Sequence, residues 1–121
     1  MRQVQEALAN IGIPVIAGIW RQTSANPNPP PQYVVYSSTT TESEHYDDHA
    51  TSFRTFVYMN LWSDFDPTDM AALIRQAMYD YGFFMFEESD KGYNQPAYDP
   101  PTKTYTIQWT WVWNERVYYG G

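Results

Sequence analysis

Nine consecutive residues, Tyr105-Thr-Ile-Gln-Trp-Thr-Trp-Val-Trp113, alternate large apolar side chains with mostly polar ones, and the pattern stops at Asn114-Glu115-Arg116. Period-two alternation demands an extended strand and puts Tyr105, Ile107, Trp109, Trp111 and Trp113 on one face of a sheet. Alternating aromatics of this kind are by default core. Trp109, Trp111, Trp113, Phe83 and Met85 are therefore expected beneath a helix.

The chain has 121 residues, a length that fits a single domain spanning 1–121. Hydrophobic residues make up 43% and aromatics 18%, so enough apolar surface can be buried to offset chain entropy, and a disordered chain is excluded. With 14 acidic and 7 basic side chains the net charge is -7, and Lys and Arg form no cluster. Binding to nucleic acid by phosphate neutralisation needs a basic face, so that class is set aside. The absence of Cys removes disulfide scaffolds, thiolate catalysis and cysteine metal sites together. No apolar run has the length of a membrane span or the form of a signal peptide, and the expectation is a soluble chain made in the cytoplasm.

Val4, Ala7, Leu8 and Ile11 recur at helical spacing, predicting a short amphipathic helix over Met1 to Asn10 closed by Gly12. Pro14 stops it, and Val15 to Trp20 reads as a connector or first strand. Thr23 to Gln32 holds four prolines and reads as a loop. Tyr33 to Ser38 reads as a strand, and the polar, acidic Thr39 to Thr51 as a mobile surface loop. Ser52 to Trp62 is a strand with Phe53, Thr55, Val57, Met59 and Leu61 on one face and Arg54, Phe56, Tyr58, Asn60 and Trp62 on the other. Asp66-Pro67-Thr68-Asp69 marks a helix start, with Asp66 as N-cap and Pro67 first in the helix. Met70, Leu73, Ile74, Ala77, Met78 and Tyr81 form its apolar stripe, and Gly82 ends it. Phe83 to Ser89 follows as a strand, then Asp90 to Thr102 as a Gly- and Pro-containing loop. Strands joined without a crossover helix are expected to be antiparallel neighbours.

His45-Tyr-Asp-Asp-His49 is the one cluster of metal-ligand types. Its polar surroundings predict a solvated loop with no rigid scaffold to hold a metal, and no metal or other cofactor is expected. Glu87 and Glu88 are adjacent, so on a strand they point to opposite faces and do not form an acid–base pair. There is no G-x-S-x-G elbow and no Gly-rich phosphate loop, and the chain is not expected to be an enzyme. The aromatic surplus on the remaining faces, Phe56, Tyr58, Trp62, Phe84 and Phe86, divides between core and interface, because one small domain has difficulty covering both faces of such a sheet.

The N-terminal helix, an early strand, Tyr33-Val-Val-Tyr36 before an acidic loop, Val57-Tyr-Met-Asn-Leu-Trp-Ser63 before a break and a helix, Gly82-Phe83-Phe84, and the final alternating strand follow one another in a recognisable order. Over Met1 to Arg116 this order resembles the tail terminator, or tail-completion, proteins of long-tailed bacteriophages, including the tail-to-head joining group. The resemblance implies an α+β fold, a mainly antiparallel sheet of about four to five strands packed by an N-terminal helix and a central helix. It also implies a virion protein, placed at the head-proximal end of the tail and assembled in the host cytoplasm. Its partners would be other copies of itself in a ring, typically a homohexamer, the tail-tube protein and the head-completion or connector protein. DNA would pass through without specific binding, no membrane would be involved, and the aromatic group above would supply the interface. Acids among Glu42, Glu44, Asp47, Asp48 and Asp90 would then line or rim the channel and keep DNA from sticking, an expectation contradicted if rings with these acids neutralised retain DNA no more than wild type. Other readings are a head-completion or tail-tube subunit, or a small non-enzymatic host-binding module.

Overall fold

The computed structural model of the chain describes residues 1–19, 28–46, 49–86 and 96–116. Two helices, α1 (Arg2–Ala7) and α2 (Thr68–Tyr81), accompany six strands: β1 (Val15–Ala17), β2 (Gln32–Tyr46), β3 (His49–Ser63), β4 (Phe84–Met85), β5 (Ala97–Asp99) and β6 (Thr104–Arg116). The class is α+β with one mostly antiparallel open sheet in the order β1-β2-β3-β6-β4, β5 also pairing with β6. The sheet exceeds the expected four to five strands because β5, three exposed residues inside the expected Asp90 to Thr102 loop, pairs Ala97 with Thr106 and Asp99 with Thr104.

The long central strands carry the sheet. β3 pairs with β6 from Ser52↔Arg116 to Ser63↔Tyr105, so every inward residue of one strand meets an inward residue of the other. Val57, Met59 and Leu61 face Trp111, Trp109 and Ile107, all buried. Val34 and Tyr36 of β2 extend that face, and Val4, Leu8, Ile74, Met78 and Phe83 cover it. The expected core is thus found: Trp109, Trp111, Phe83 and Met85 are buried, and Trp113 is half-buried against Tyr81 and Phe83, ring centroids 5.6 and 5.0 Å away.

Local chemistry sets the helix ends. The Asp66 carboxylate accepts the Thr68 N–H at 3.0 Å and the Thr68 hydroxyl at 2.6 Å, which holds its pKa below the ordinary carboxylate value. α2 starts at Thr68, leaving Pro67 at the N-cap, one position before its expected place; the Pro67 carbonyl accepts the first helical bond from Ala71 N–H at 2.8 Å. Ala71, Ile74 and Met78 are the buried stripe of α2, while Leu73, expected in it, is 56% exposed because it falls one residue outside that spacing. At Gly82, φ is +122° and an added Cβ would lie 3.2 Å from the Trp113 ring, so both the backbone and the close approach call for glycine. α1 stops at Ala7 rather than Asn10, the chain tightening through Ala9 N–H to Glu6 O and Ile11 N–H to Leu8 O; Gly12, at φ +88°, lies in the turns beyond. Tyr36 secures α1 to the sheet: its hydroxyl accepts from the Met1 ammonium at 3.2 Å and from Gln5 Nε2 at 3.1 Å.

Two further expectations are corrected. β1 runs parallel to β2, Val15↔Val34 to Ala17↔Tyr36, not antiparallel. Thr39 to Thr51 is not a loop: β2 continues through it to Tyr46, opposite His49, and β3 starts at His49. Ser and Thr carry no core signal there, but they sustain an extended ladder by pairing their main chains, and Thr40 and Thr55 join their hydroxyls at 2.9 Å across it.

Candidate functional site

The five aromatics expected at an interface all fall on one face of the sheet, the side away from α1 and α2. On β3 the outward series is Arg54, Phe56, Tyr58, Asn60 and Trp62, because Thr55, Val57, Met59 and Leu61 point inward into the core. On β6 the tryptophans take the inner side, so Thr106, Gln108, Thr110 and Val112 face outward. Phe84 is opposite Val112 and shares its face, and Phe86 N–H donates to Thr110 O at 2.8 Å, which continues the same register. Pairing through β6 therefore gathers aromatics that are up to thirty positions apart in sequence, Phe56 and Phe86.

The surface has a packed centre and an open rim. Val112 lies between Phe56 and Phe84 in register and is 2% exposed, although among the described residues no helix lies on that side of it. Phe56 meets Phe86 edge to face with centroids 5.7 Å apart. Tyr58 and Phe84 remain 47% and 44% exposed. At the other end Trp62 stacks on Tyr33 of β2, centroids 6.5 Å apart and planes 14° from parallel. Partial burial pushes the Tyr33 hydroxyl pKa up, and the Asp64 charge pushes it further in the same direction. Tyr33 and Val112 belong to this surface and were missed by sequence reasoning. The available signal was register: Tyr33 faces Trp62 directly only once the β2–β3 pairing is known.

Of the acids expected to line or rim a channel, Glu42 and Glu44 lie among the described residues. Glu42 and Glu44 stand on β2, opposite Phe53 and Ser52, where the register is irregular, and not in a loop; Glu42 is exposed. Asp47, Asp48 and Asp90 lie outside the described residues, as do Glu87 and Glu88. The same holds for the side chains of His45 and His49, so their expected solvated state lies outside the described residues too. Among the described residues no group of three His, Cys, Asp or Glu is placed to hold a metal ion. No helix among them is long and apolar enough to cross a membrane. What this arrangement offers chemically is contact area: rings and methyl groups at the centre, with Arg54, Asn60 and Gln108 as polar neighbours.

No protein-family model matches the chain, and no curated protein is significantly similar to it.

Proposed function

We propose that the chain is a structural virion protein of a long-tailed bacteriophage, a tail terminator that caps the tail tube as a ring, stops its polymerisation and offers the joining surface to the head. The observation that supports this reading best is the outward aromatic face built by Phe56, Tyr58, Trp62, Phe84 and Phe86 on a sheet whose inner face is already filled by both helices. Such a face is suited to contact between subunits, where aromatic rings supply most of the affinity. Copies joined through it head to tail close into a ring if the rotation between neighbours closes, and the number of copies is then fixed by that angle. The tail-tube and head-completion proteins would meet the two sides of the ring. The acidic balance of the chain suits a channel through which DNA passes without binding.

Deletion of the gene from its source phage or prophage tests the reading by negative-stain imaging. Overlong tails separated from filled heads are expected. Finished tails of normal length would contradict it and direct attention to head completion or to a host target.

A further inference from the structure

We draw no further inference here: the strongest candidate, the 53% exposed Phe65 in the turn between β3 and α2, pinned by the buried Ser63 hydroxyl, which accepts its N–H at 3.3 Å and donates to its carbonyl at 2.7 Å, carries none because nothing in the structure shows what covers it.

Discussion

Tyr81 does two jobs with one ring: its hydroxyl donates to the Glu6 carboxylate, tying α2 to α1, and its face packs on Phe83 and Trp113. Donation to Glu6, followed by desolvation and the Glu6 charge, raises its pKa above the ordinary value of 10.0, against a smaller opposing effect of Arg2. A raised folded pKa means that the bond contributes fully below about pH 10 and is lost as pH rises through the higher folded value. Melting curves of wild type and Tyr81→Phe should therefore differ by a constant amount from neutral pH to about pH 10 and converge above it; a difference that persists unchanged at high pH would show that it does not come from donation to Glu6. The buried indoles are a different residue-scale case. Trp109, Trp111 and Trp113 each hold a buried N–H with no acceptor, so their contribution has to come from ring packing, as in the edge-to-face contact of Trp111 with Tyr79 at 5.2 Å.

At the scale of elements, β6 and α2 are the parts whose chemistry is plainest. Gly82 joins them by ending α2 under the Trp113 ring at a φ of +122°. Gly82→Ala is expected to destabilise the fold by about 1–3 kcal/mol from backbone strain, measured by chemical denaturation, with no change in assembly; an effect near zero would mean that the helix end relaxes freely. β6 and α2 were readable from sequence because each buries one stripe, and burial is what hydrophobic periodicity records. The hairpin Thr39 to Thr51 was unreadable for the opposite reason. Its described side chains between Thr39 and Glu42 are all exposed, so nothing there alternates, and main-chain pairing holds the extension. Parallel β1 and the three residues of β5 were likewise hidden, since a strand that short contributes pairing but almost no pattern.

At the scale of the whole molecule, the sheet has one face filled by helices and one over which, among the described residues, no helix lies. Helices α1 and α2 occupy the first; the second keeps its aromatic row, packed at Val112 and open at Tyr58 and Phe84. Sequence reasoning picked all five aromatics by alternation against the core, but their gathering into one surface required the β3–β6–β4 order, which no local pattern carries. The central claim is that this surface joins copies and does not hold the monomer together. The most direct measurement is the oligomeric state and melting temperature of Trp62→Asp beside wild type, by light scattering and calorimetry on the same samples. The account predicts a folded variant, with its melting temperature within a few degrees of wild type for a cost of about 1 kcal/mol or less, that no longer assembles. An unfolded variant would make Trp62 a core residue, and a folded one that assembles like wild type would contradict the claim outright.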